Sequence, residues 1–151
     1  MNKYLDGLAI LLASAWVGGM WMTGYVAAPV LFQTLADKSL AGTLAGSMFA
    51  AIAYIGMFCA VYLLAYDYKS LGKRALRSGS FWIIALMLLF TLVGHFGIQP
   101  VLAQLRQQAL PAYVMQSPYA DSFKFWHGVS SIIFLVQSIL GALLLLKRHT
   151  D

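Results

Sequence analysis

Apolar residues run along this chain in four long stretches, each separated from the next by a short polar or charged connection. The stretches cover about 4–32, 40–66, 81–102 and 123–146. Each meets the length of roughly 20 predominantly apolar residues that a bilayer-spanning helix needs. Lipid offers no partner to a free backbone N–H or C=O, so segments of this kind are expected to be helical. The pattern predicts an all-α fold: an integral membrane four-helix bundle whose main solvent is the bilayer.

Composition points the same way. Of 151 residues, 61% are hydrophobic and 10% charged, and mean hydropathy is +0.77. Soluble domains carry about 25% charged residues. The length suits one domain, 1–151, and the longest connections, about 67–80 and 103–122, are too short to fold alone.

Charge sets the expected orientation. Four spans put both termini on one side, together with the connection between the second and third helices. That side carries Lys3, Lys69, Lys73, Arg74, Arg77, Lys147 and Arg148; the other carries Lys38, Arg106 and Lys124. Short cytoplasmic connections are enriched in Lys and Arg, so both termini are expected in the cytoplasm and the protein in the inner (cytoplasmic) membrane. The net charge of +5 is then mainly a topology signal. The basic run 69–77 reads as a stop-transfer cluster meeting anionic lipid, and no nucleic-acid partner is expected. The first apolar stretch exceeds the roughly 7–15 residues of a signal-peptide core and is read as a retained helix. A single cysteine, Cys59, excludes an internal disulfide and paired-cysteine metal or redox motifs.

Small residues mark where helices should approach each other in lipid. Gly42 and Gly46, four apart, and Gly18 and Gly19 of the first helix, beside Trp16, are read as packing positions within the monomer, with homo-oligomerisation as the other use of such seams. Pro29 and Pro100 are expected to end or kink the first and third helices near their outer ends. Trp82, Trp126, Tyr66, Tyr68, Tyr113 and Tyr119 fall where an interfacial aromatic belt would. No internal repeat of fixed period is evident.

Against this background, polar groups within the spans are the candidates for function. Thr91, His95 and Gln99 recur every four residues and form one stripe on the third helix. His127, Ser130, Ser131, Gln137 and Ser138 form another on the fourth. At about 1.5 Å rise per residue, His95 and His127 are both expected some 6–8 Å below the outer end. Consecutive antiparallel helices usually pack together, so the two stripes are expected to share a polar pocket opening outward. Two facing imidazoles suit a transition metal such as copper, or the two axial positions of a haem iron. The ordinary alternative has His127 wetted at the interface and His95 bonded to a carbonyl. Met20, Met22 and Met48 are weaker metal candidates, since thioethers suit Cu(I) but methionine is also a flexible core residue. Asp6, near a helix end, is expected to reach interfacial water, and His149 lies in the tail. No catalytic triad, hydrolytic carboxylate pair or phosphate-binding glycine loop is present, so enzymatic activity is not expected.

The run Trp16-Val-Gly-Gly-Met-Trp21, continuing through Pro29 to Phe32, resembles a bacterial membrane family of unknown function related to animal transmembrane protein 205. Ala41-Gly42, Gly46-Ser-Met-Phe49 and Phe123-Lys-Phe-Trp-His127-Gly-Val-Ser130 carry the same resemblance. It implies a four-helix membrane protein without an established bacterial reaction; the animal relative is associated with resistance to platinum drugs. More distantly the pattern is similar to the copper resistance protein D group, whose bundles use membrane histidines. The matching positions are Trp16, Gly18, Gly19, Pro29, Phe32, Gly42, Gly46 and His127, and a methionine- or histidine-rich outer loop is missing. The expected function is binding or moving a soft metal ion or small solute, with a haem redox protein or a structural membrane partner as alternatives.

Overall fold

The structure, a computed structural model, describes residues 3–150, apart from the side chains of 149 and 150, which leaves His149 outside the described side chains. Four helices are long and apolar enough to cross a membrane: α1 (Lys3–Thr34), α2 (Lys38–Arg77), α3 (Gly79–Ala109) and α4 (Ala120–Arg148). No strand occurs among the described residues. Packing runs around a ring, α1 on α2, α2 on α3, α3 on α4 and α4 back on α1. Large apolar side chains such as Leu11, Phe58, Ile132 and Leu146, each 60% or more exposed, cover the outside of this ring. A surface of that kind is stable against lipid and costly against water.

The helices run longer than their apolar stretches. Asp37 caps α2 by accepting from the Ser39 and Leu40 amides at 2.8 and 3.0 Å. Lys38 Nζ donates to the Phe32 and Leu35 carbonyls at 2.7 and 2.9 Å, closing the end of α1 that those carbonyls leave unsatisfied. At the other end α2 passes through Tyr66 and Leu71 into a 3₁₀ stretch, Gly72–Arg77, where Gly72 takes the left-handed φ of 58° that a side chain would resist.

Neither proline ends its helix. α1 continues beyond Pro29 to Thr34, and α3 beyond Pro100 to Ala109. Each proline is instead preceded by a six-residue π stretch, Met22–Ala27 in α1 and Val93–Ile98 in α3. The Ala28 amide bonds back to the Thr23 carbonyl and the Gln99 amide to that of Gly94, five residues rather than four. A proline has no N–H and its ring crowds the carbonyl four residues earlier. One wide turn lets the chain pass that point without breaking. The identical offset in α1 and α3 is an internal correspondence that their side chains do not spell out.

Two ends of the ring differ. At the end holding the termini, Ala9, Ala13, Val17, Cys59, Ala60, Leu63, Ile84, Met87 and Leu144 form a close core. The two acids there are partnered: Arg148 Nη2 lies 2.7 Å from Asp67 Oδ1, with both side chains about nine-tenths covered, and Tyr66 donates its hydroxyl to Asp6. Asp6 thus has a protein partner besides any interfacial water. The opposite, distal end is hollow.

Candidate functional site

A cavity of about 660 Å³ occupies the distal half of the ring, lined by all four helices and by Tyr113, Val114 and Met115 of the connection before α4. Its floor is apolar and includes Trp16, Met20, Phe49, Ile52, Phe90 and Phe134. Its polar groups include Thr91, His95, Gln99 and Arg106 from α3, His127, Ser130, Ser131 and Gln137 from α4, and Lys38 and Ser39 from α2. Pockets of roughly 300–1,000 Å³ with few polar groups over apolar walls are the usual form of small-ligand sites.

Thr91 and Gln137 tie α3 to α4 at the deep end. Gln137 Nε2 donates to Thr91 Oγ1 at 2.9 Å and to the Met87 carbonyl at 3.1 Å, while the Thr91 hydroxyl donates to that same carbonyl at 2.9 Å. Both side chains are buried, and in lipid such a satisfied pair joins helices that have no hydrophobic reason to associate. Ser131 donates back to the His127 carbonyl. Ser138 does not line the cavity; its hydroxyl accepts from Tyr25 at 3.0 Å and donates to the Phe134 carbonyl at 2.9 Å.

Both histidines line the cavity, and their surroundings differ. His95 meets Tyr54 and Phe96 edge-on, each at 4.7 Å between ring centroids, and its Nδ1 is buried without a partner. His127 is exposed and stacks on Phe123 at 5.8 Å and 7°. Their depths are not matched along the helices. His95 stands fourteen residues before the distal end of α3 at Ala109, against seven between His127 and the start of α4 at Ala120. At about 1.5 Å per residue that is roughly 21 Å against 10 Å. The unequal depth follows from Pro100 not ending its helix.

The methionines do not converge. Met20 is 4% exposed and lines the cavity, whereas Met22 and Met48 are 58% and 37% exposed and line none of it. Met22 follows Met20 by two residues, which turns it to the far side of α1. Among the described residues no three His, Cys, Asp or Glu side chains gather as a metal site.

The glycine seams also sort differently from their spacing. A Cβ at Gly18 would meet nothing within 4 Å, so this position faces outward, while one at Gly19 would press on Ile52 Cδ1. Gly42 and Gly46 admit a side chain instead of a helix backbone. Arg106, from the far end of α3, donates through Nη1 to the Gly42 carbonyl, and its Nη2 and Nη1 lie 3.1 and 3.3 Å from where a Gly46 Cβ would stand. The tight helix contact of α2 is at Gly56, where the Trp16 indole fills the space of a side chain. Pro29 borders the cavity from α1.

The all-helical ring with its lipid-facing surface defines a multi-pass membrane protein with a cavity in its distal half. The chain belongs to the family described as a domain of unknown function (DUF4149), which matches residues 11–111. The match spans most of α1, all of α2 and α3 with Arg106, and stops before His127 and α4. No curated protein and no solved structure matches the chain.

Proposed function

We propose that this protein binds a small solute in the distal cavity, with both termini in the cytoplasm and the cavity toward the outer face of the inner membrane. The observation that carries the reading is the cavity itself: polar groups from three helices converge over an apolar floor in the half of the ring where close packing stops. The orientation rests on the seven-to-three division of Lys and Arg. Kinship with transmembrane protein 205 and with the copper resistance protein D group belongs to this proposal and rests on the segments 16–32, 41–49 and 123–130. A two-nitrogen site for copper or haem iron at His95 and His127 is the second reading, favoured by their common cavity and the unpartnered His95 Nδ1. A Soret band or stoichiometric copper in the purified protein would move it to first place.

A neutral alkyl probe carrying a photoreactive diazirine tests the main reading in nanodiscs. Adducts are expected on Trp16 or Met20, which are 2% and 4% exposed and therefore closed to bulk lipid. Ala53→Phe, which fills the cavity from α2, should abolish them. Labelling confined to outward residues such as Phe58 would refute solute binding in the cavity.

A further inference from the structure

We propose that the cavity takes an amphiphile with an oxyanion head, a carboxylate or a phosphate, and that the Arg106 guanidinium holds that head. The proposal rests on the solute-binding reading above and names the class of solute. Its starting point is a charge account of the chain. There are five acidic residues, all aspartates. Asp6 accepts from Tyr66 and Asp67 pairs with Arg148 at the terminal end of the ring. Asp37 caps α2, and Asp121, 98% exposed, pairs with Lys124. Asp151 lies outside the described residues. No carboxylate lines the cavity, and Arg106 has no ion-pair partner among the described residues.

Arg106 is nevertheless half-buried and turned inward. A long cationic side chain near a helix end ordinarily reaches for the headgroup region. This one lies back across Gly42 and Gly46, where the missing side chains leave it room. One of its five N–H donors is used on the Gly42 carbonyl, no Arg106 nitrogen is sealed without a partner, and the residue lines the cavity. A cation held among apolar walls with no counter-charge is costly, and a bound oxyanion removes that cost through charge-assisted, often bidentate hydrogen bonds. Lys38, whose ammonium uses two donors on backbone carbonyls, is the other cation of the cavity.

The floor supplies the second half of the ligand. A small hydrated anion would gain nothing from Trp16, Met20, Phe49 and Phe134, and an uncharged tail would leave the guanidinium unpaired. A cationic head would meet repulsion from Arg106 with no acid to offset it. A head on Arg106 and an alkyl tail on the floor satisfy both parts.

The test uses the full chain in phosphatidylcholine nanodiscs and dodecanoic acid carrying a diazirine near the tail end, with adducts located by mass spectrometry. Labelling of Trp16 or Met20 is expected. Dodecyl phosphate should suppress it, whereas dodecanol, dodecyltrimethylammonium and inorganic phosphate at equal concentration should not. R106Q should cut labelling by the acid about tenfold, the size of one lost charge-assisted interaction, and R106K should keep most of it. A diazirine dodecanol that still labels the floor in R106Q shows the variant folded, and the competitor series on the unaltered protein decides the question if it does not. Equal competition by the cationic amphiphile, or undiminished acid labelling in folded R106Q, overturns the oxyanion head while leaving solute binding standing. Inorganic phosphate competing as well as dodecyl phosphate overturns the amphiphile in favour of a free oxyanion. Failure of every probe to reach Trp16 or Met20 removes this proposal and the solute-binding reading together.

Discussion

The same four helices make a sealed half and a hollow half. Toward the termini, Ala9, Ala13 and Ala60 let the helices approach until Leu63, Ile84 and Met87 are fully covered. There every acid found in a helix has a partner from another helix, Asp6 with Tyr66 and Asp67 with Arg148. Toward the distal end the wide turns before Pro29 and Pro100 interrupt the regular ladder of two helices, and the side chains around the space include a cation with no acid. Packing in lipid is driven by fit and by satisfied polar groups rather than by expulsion of water. The half with the close core is the scaffold, and the half around the cavity is arranged for something else to complete it.

The sharpest way to break the contrast is at the sealed end. Arg148→Ala leaves Asp67, whose side chain is 10% exposed, without a counter-charge and should lower stability by about 3 kcal/mol. Unfolding by SDS titration measures this, and Asp67→Asn together with Arg148→Ala should recover much of the loss. A single variant as stable as the parent would mean that water already solvates the pair and that the two halves do not differ in how they treat charge.

The next effect is steric and separates true contact glycines from apparent ones. Gly56→Leu drives a side chain into the space of the Trp16 indole and should cost about 2 kcal/mol in the same titration, because a packed core accepts extra volume poorly. Gly18→Leu, pointing into open surroundings, should stay within about 0.5 kcal/mol. Equal losses at the two positions would remove Gly56 from the packing argument.

Those glycines show what the sequence states and what it leaves unsaid. Four helices and an all-α fold were legible, because about 20 apolar residues in lipid allow little else. Thr91, His95 and Gln99, spaced by four, all line the cavity. Small-residue spacing, in contrast, says that something comes close without saying what. Gly42 and Gly46 receive a side chain from sixty residues further on, a non-local contact that no periodicity encodes. Arg106 was hidden for the same reason: past Pro100 it reads as a loop charge, whereas α3 runs on through it. The two prolines carried the only hint, lying at the ends of apolar runs that continue into polar helix.

Pro100 provides the smallest and most discriminating perturbation. Pro100→Ala restores an N–H able to reach the Phe96 carbonyl and lets the π stretch Val93–Ile98 relax toward a regular helix. Losing one wide turn rotates everything downstream by about one residue, near 100° at 3.6 residues per turn. Arg106 then leaves the Gly42 and Gly46 notch, while the Thr91–Gln137 tie upstream stays in place. Stability should change by less than about 1 kcal/mol, the net worth of a single hydrogen bond, because the sealed half is untouched. Labelling of Trp16 or Met20 by the diazirine dodecanoic acid should nevertheless fall toward that of the diazirine alcohol. A large loss of stability would mark Pro100 as a packing residue, and unchanged preference for the acid would show that Arg106 holds its place without the wide turn.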